Sequence, residues 1–451
     1  MGVVGKIESY QYYEMIDEET ECVFDFETNG IKKGFRLPHQ LAVVDINSDK
    51  IEVINNRIPS YELPNPTALN ATTTEWSKLL EGPSLYEKIF HIRESIIQYD
   101  IIWAYNARYD DEVLQEALVA CGLPPFPHRT DDKTICDALA FISLAGKLYP
   151  EIIMTPEENQ KLETVFNNNF KEDSSIRWHQ ADGDVEATKK LLLKIKDNIP
   201  DLWKQRRQIF SKFARYNLFS NKIKYFYYKH VSKTISEMLP IKEMDRDNYY
   251  AINLNIFYQN GGLTKRNITT LKQGKKPKWL ETPYLKTKFI MFDPEWFNLK
   301  GNFSNPSDED LQTIVSLIEE NLPIEKIWDK KEDEFLEEQI FGFPPNKDRE
   351  SWDLFHKSMT WEEKISIKFS EKNSKRWALR IIFDNCPELL DTSHYKRMLN
   401  HIKDRWLSND PETPYITIPK ALNEMDELGE ELESKIFNGY RDYLKDMKEN
   451  L

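Results

Sequence analysis

Apolar residues recur along the amino-terminal half at two different spacings, and the switching between them predicts a layered α/β unit. Cys22 to Glu27, Leu41 to Ile46 and Ile51 to Arg57 are short runs rich in apolar and β-branched residues that read as strands, the last two joined by Asn47-Ser48-Asp49-Lys50 as a hairpin. From Leu85 to Tyr99 the spacing becomes helical, with Leu85, Ile89, Phe90, Ile92, Ile96 and Ile97 as its apolar positions. That helix leads into Ile101-Ile102-Trp103-Ala104-Tyr105, apolar enough for a buried strand. A helix over Asp111 to Cys121, a strand over Thr134 to Asp137 and a helix running on from Asp184 through Val185, Ala187, Leu191, Leu192 and Ile195 complete the pattern. Three strands followed by alternating helices and strands fit a mixed sheet with helices on its faces.

After Ile199-Pro200 the texture changes. Trp203 to His230 holds eight Lys or Arg, many aromatics and no acid. Asn253 to Ile340 mixes Gly-rich, basic and short strand-like pieces with an acidic helix, and Phe341-Gly342-Phe343-Pro344-Pro345 reads as a linker into an amphipathic helical remainder. A chain of 451 residues supports two or three domains, and these shifts place them at 1–199, 200–345 and 346–451. No run approaches the roughly 18 apolar residues of a membrane span, and Met1-Gly2-Val3-Val4-Gly5-Lys6 lacks the layout of a signal peptide, so a cytoplasmic protein without membrane contact is expected. Cys22, Cys121, Cys136 and Cys386 are far apart and show neither zinc spacing nor a disulfide framework.

Three carboxylate clusters carry the candidate chemistry: Phe24-Asp25-Phe26-Glu27-Thr28, Asn106-Ala107-Arg108-Tyr109-Asp110 and His179-Gln180-Ala181-Asp182-Gly183-Asp184. Asp25 and Glu27 stand two apart in a strand, so both project from one face. Carboxylates held that close ionise together only with a cation between them, and hard oxygen ligands select Mg²⁺, with Mn²⁺ as a substitute. Taken singly, each cluster has a plainer reading: a solvated sheet edge, a helix N-terminus favouring acids, a surface histidine. Their conjunction in this order points to a two-metal nuclease site. Residues five apart diverge by about 140° on a helix, which places His179 on the loop or first turn before Asp184.

The order and spacing resemble the DEDDh exonucleases, named for four acids and a histidine, and the resemblance extends to the bacterial exonuclease I family. Tyr105-Asn106-Ala107-Arg108-Tyr109-Asp110-Asp111-Glu112-Val113 looks like that family's second motif, Asp184-Val185-Glu186-Ala187-Thr188 like its third, and Ile199 to Phe213 and Lys372 to Trp406 like its inter-domain and carboxy-terminal segments. The resemblance implies a ribonuclease-H-like exonuclease domain, a reduced SH3-like region and an all-α carboxy-terminal domain. It implies two Mg²⁺ ions on Asp25, Glu27, Asp110 and Asp184, with His179 as general base and Thr28 at the substrate. Where the family has an arginine before its third motif this chain has Lys161, and Ile142 to Glu158 departs from the family pattern.

The implied activity is 3′→5′ hydrolysis of single-stranded DNA to 5′-mononucleotides, in repair, recombination or defence, with the acidic tail of single-strand-binding protein as a partner. The net charge of −14 does not exclude this, because screening over about 10 Å makes local patches matter more than totals. Arg206, Arg207, Lys265, Lys275 and Lys276 are the candidate backbone contacts, since cations interleaved with rings suit a single strand. The same interleaving in Trp203 to Tyr225 also suits an amphipathic helix with its rings turned inward. Two alternatives stay open: an RNA or oligoribonucleotide exonuclease, and a catalytically silent single-strand-binding or scaffold protein.

Overall fold

Strand β1 (Glu21–Thr28) organises the amino-terminal half because its two faces serve two cores. Phe24 and Phe26 point into one, with residues of the helices Leu85–Ile97 and Arg108–Ala120, while Val23 points into the other, with Ala181, Val185 and Leu192. The computed structural model describes residues 19–128, 130, 132–170, 176–245, 247–285, 289–297, 299–323, 335–429 and 436–450. Around β1 lie β2 (Pro38–Asp45), β3 (Ile51–Asn55), β4 (Ile101–Ala104) and β5 (Thr134–Asp137), in the order β3-β2-β1-β4-β5. The β1, β2 and β3 pairings are antiparallel, and β4 and β5 join in parallel. This is the mixed sheet that the sequence predicts.

The helices of this half are α1 (Pro66–Thr72), α2 (Leu85–Ile97), α3 (Arg108–Ala120), α4 (Ala138–Leu148), α5 (Leu162–Asn169) and α6 (Ala181–Asn198). Ser84 and Glu87 form a reciprocal capping box that starts α2 where its apolar spacing begins. Helix α3 begins at Arg108, so Asp110 sits in its first turn. Helix α6 starts at Ala181, and the N–H of Ala181 donates to Gln40 Oε1 of β2 at 3.3 Å, which ties the helix start to the sheet.

A second sheet follows, wholly antiparallel: β6 (Tyr225–Lys229), β7 (Thr234–Asp245), β8 (Asn248–Asn253), β9 (Leu280–Glu281) and β10 (Ile290–Phe292), in the order β10-β6-β7-β8-β9. Phe226, Tyr228, Ile290 and Phe292 join the core under α4 and α6, so one edge of this sheet is welded to the amino-terminal half. Leu239, Ile241, Tyr250 and Ile252 pack with the helices Leu254–Gln259, Lys265–Lys272 and Asp308–Asn321. Among the described residues six further α-helices of the carboxy-terminal part run from Arg349–Lys357 to Tyr440–Asn450. Trp352, Phe355, Trp377 and Ile381 from these helices complete the same core as Phe24 and Phe26. Among the described residues no helix is long and apolar enough to cross a membrane, and all four cysteines are free, Cys386 alone being partly exposed.

Candidate active site

The acids converge where the pleat and the helix starts bring them together. Asp25 and Glu27 follow Val23 on the face that α6 covers, and the register of β1 against β2 shifts between Glu27 and Thr28, a bulge at the end of the strand. From α6 comes Asp184, and single oxygens of Asp25, Glu27 and Asp184 lie within 4.8 Å of one another. Asp110 comes from α3 and accepts the N–H of Phe26 at 3.1 Å, which joins it to the same strand. A cavity of about 180 Å³ is lined by Asp25, Glu27, Asp110, Asp184 and His179, together with Phe26, Ala71, Thr72, Tyr105, Asn106 and Tyr109.

Burial and mutual repulsion hold these carboxyls far above their ordinary range. Asp25 is pushed well up, first by desolvation and then by the charges of Asp110, Glu27 and Asp184. Glu27 is raised to about 9 by desolvation and by Asp184 and Asp110, and Asp110 to about 8 by desolvation, against the pull of the Phe26 N–H. Asp184 reaches only about 6, because His179 opposes the desolvation. Among the described residues no lysine or arginine is ion-paired with any of the four. Hard oxygen donors at this spacing, half-buried and without an ion-paired lysine or arginine, fit a divalent cation such as Mg²⁺.

His179 is exposed, on the loop that precedes α6, with a φ of 59°. Asn106, also on the cavity wall, has a φ of 62°, and Thr73, next to Thr72, one of 52°. Such left-handed backbone outside glycine concentrates at functional sites. Thr28 is buried, donates to Gly30 O at 2.7 Å and lies 2.7 Å from Tyr109 Oη, so its hydroxyl is engaged within the protein and does not line the cavity. Lys161 is exposed and caps α5, one residue beyond Gln160, whose carbonyl accepts Tyr105 Oη at 2.6 Å.

The polymer contacts expected between Trp203 and His230 need correction. Arg206 is buried, with its guanidinium 2.6 Å from Glu21 Oε1, 3.2 Å from Trp203 O and stacked over the Trp203 ring, so it secures the far end of β1 and is closed to a phosphate. Arg207 pairs with Glu19 and donates to Asp132 O at 2.6 Å, which commits it to the protein as well. The rings of this stretch are mostly turned inward, and Arg215 is buried with them. Lys265, Lys275 and Lys276 are exposed as expected, beside Arg266, Lys272 and Lys278. The sequence pattern did not point to Ala71 and Thr72 on the cavity wall. Asn65 at the N-cap with Pro66 as the first helical residue was the signal that a helix starts there.

No protein-family model matches the chain. A curated relative, DNA polymerase III PolC-type from Bacillus subtilis (strain 168), is 29% identical over 188 residues, which are 41% of this chain and only 12% of that polymerase. Among solved structures, the zinc-bound complex of E. coli exonuclease I with single-stranded DNA matches with a TM-score of 0.73 at 17% identity, covering 95% of this chain and 100% of that one. The chain has the exonuclease I fold. A moderately thermophilic exonuclease I from Methylocaldum szegediense matches equally, with a TM-score of 0.73 at 17% identity over 95% of this chain and 99% of that one. A complex of SSB and exonuclease I with the inhibitor CFAM gives 0.70 at 18% identity over 94% and 99%. The exonuclease I fold thus extends through the second sheet and the carboxy-terminal helices.

Proposed function

We propose that the protein is a divalent-metal-dependent 3′→5′ exonuclease that hydrolyses single-stranded DNA to 5′-mononucleotides. The observation that carries the reading is the meeting of Asp25, Glu27, Asp110 and Asp184 with His179 in one cavity of an exonuclease I fold. At about 180 Å³ the cavity is smaller than the roughly 300 to 1,000 Å³ of pockets that enclose a whole small ligand, which suits the end of a chain. Asp25, Glu27 and Asp184, with Asp110 beside them, would hold Mg²⁺, which supplies charge neutralisation at the phosphate and lowers the cost of ionising water. His179 stands exposed at the rim, where it takes the proton of the attacking water when its ring is neutral. Tyr105 and Tyr109 supply rings on the wall for the terminal nucleotide, and the exposed lysines of 265–278 hold the strand further from the cut. The acidic tail of single-strand-binding protein would be a partner by the same charge complementarity.

The test uses single-stranded DNA and RNA oligonucleotides labelled at either end, with Mg²⁺ or with EDTA. Stepwise release of mononucleotides from the 3′ end of DNA, arrested by EDTA, is expected. Full activity in EDTA, or degradation from the 5′ end, overturns the reading.

A further inference from the structure

The segment between α4 and α5, residues 149–161, has no regular structure, yet contacts hold it from Ile153 to Pro156 and again at Gln160. At α4 a Cβ on Gly146 would lie 2.6 Å from Thr155 Oγ1 and 3.0 Å from Ile153 O, so the bare glycine admits the segment. From α5, Asn169 binds Met154 twice: its Oδ1 accepts the Met154 N–H at 3.0 Å and its Nδ2 donates to Met154 O at 2.8 Å.

The remaining contacts come from the second sheet. Lys233, in the turn between β6 and β7, donates from Nζ to Thr155 O at 2.8 Å, Thr155 Oγ1 at 3.3 Å and Pro156 O at 2.6 Å, which uses the three protons of the ammonium. Its φ of 49° is left-handed, a cost for a non-glycine residue that these bonds offset. In the same turn His230 O accepts Gln160 Nε2 at 3.1 Å. The hairpin is itself fixed to the catalytic half, because Tyr228 Oη lies 2.7 Å from Ser143 Oγ and donates to Ser143 O at 3.1 Å. Gln160 therefore faces two ways. Its side chain is held by the hairpin, its carbonyl accepts the hydroxyl of Tyr105 on the cavity wall at 2.6 Å, and the next residue is Lys161.

We propose that Lys233 and Gln160 are positioning residues for the cleavage site: through them the β6–β7 turn sets Tyr105 in the cavity wall and holds Lys161 beside it. The second sheet is then part of the catalytic architecture as well as a surface for the strand. This role rests on the hydrolytic reading above.

Lys233→Ala and Gln160→Ala, made in the full chain, would be assayed on a dinucleotide and on long single-stranded DNA. Expected is a fall in kcat of roughly 10- to 100-fold on both substrates, the size of effect that small misplacements produce. KM on long DNA and the salt dependence of binding should not move, and Lys233→Arg should restore most of the loss. Amide hydrogen exchange over residues 153–161, which needs no turnover, should quicken roughly tenfold in Lys233→Ala at an unchanged melting temperature. Unchanged kcat together with unchanged exchange overturns the proposal. An inert wild type would remove the hydrolytic reading alone, and the exchange measurement would then decide whether the turn holds the segment.

Discussion

Two groups of half-buried and buried acids in this molecule have opposite surroundings. Asp25, Glu27, Asp110 and Asp184 face one another with no arginine or lysine ion-paired to them among the described residues, and burial lifts their pKa values. Glu337 is equally buried but lies 2.9 Å from Arg380 Nη1 and 2.6 Å from Arg405 Nη1, and the two guanidinium groups outweigh desolvation and hold it near 2. Arg405 also reaches Glu62 at 3.2 Å. This second group ties the segment before α1, the Leu336–Glu338 turn and the helices Lys372–Asn385 and Thr392–Trp406 to one another. Burial of an acid is therefore ambiguous evidence of function. The countercharge decides: where the protein supplies it the cluster is a fastening, and where the protein withholds it the cluster awaits a cation from outside.

The strand β1 repeats the contrast within eight residues. At its start Glu21 is matched by Arg206, and at its end Asp25 and Glu27 are unmatched.

The largest effect that separates the two groups should follow Asp25→Asn or Asp184→Asn. Turnover should fall by roughly four powers of ten, while the melting temperature in cation-free buffer should not drop, because the change removes repulsion. A variant that melts early in proportion to its lost activity would make the acid group structural too.

Glu337→Ala should do the reverse. It leaves Arg380 without an acidic partner among the described residues and Arg405 with Glu62 alone, a change that costs on the order of 3 kcal/mol, read as a lowered denaturation midpoint with activity per folded molecule preserved. Stability equal to wild type would show that the arginines find other partners.

The acid limb of stability follows from the same residue. Glu337 titrates near 2 in the folded protein against 4.5 as its ordinary value, so its contribution is fully present above about 4.5 and is lost as pH falls towards 2. The loss should be on the order of 3 kcal/mol in urea melts across that window, and Glu337→Gln should flatten the limb. An unaltered limb would assign the acid sensitivity elsewhere.

The acid site was legible in the sequence because its signals are local. Asp25 and Glu27 are two residues apart on one strand, whose period turns both to one face, and His179 and Asp184 are five apart, a spacing that puts the histidine on the loop before the helix. The fastening was not legible, because Arg405 meets Glu337 across 68 positions and Glu62 across 343, and no local pattern encodes such a pair. Arg206 shows the cost of that blindness: cation density reads as a nucleic-acid contact until Glu21, 185 positions away, appears beside it. The carboxy-terminal helices were legible as helices. That Trp352 and Ile381 finish the core of β1 depends on tertiary contacts that the periodicity of each helix does not state.

A third charge cluster extends the comparison to cations. Lys265, Arg266, Lys272, Lys275, Lys276 and Lys278 are all exposed, and among the described residues none has an acidic partner; the one side-chain bond to another side chain there is from Lys276 to Thr282 Oγ1 at 3.1 Å. By the rule drawn from the acids, unmatched cations await a polyanion from outside, which under the proposed function is the phosphates of a single strand. Replacing Lys275 and Lys276 by Glu should lower the salt slope of binding by about 0.7 for each phosphate that these lysines neutralise, and shorten each run of digestion on long DNA. Cleavage of a dinucleotide should be spared, because so short a substrate lies at the carboxylates alone. Unchanged run length and salt slope would place the strand on another face and confine the rule to buried charge, where desolvation gives an unmatched group its cost.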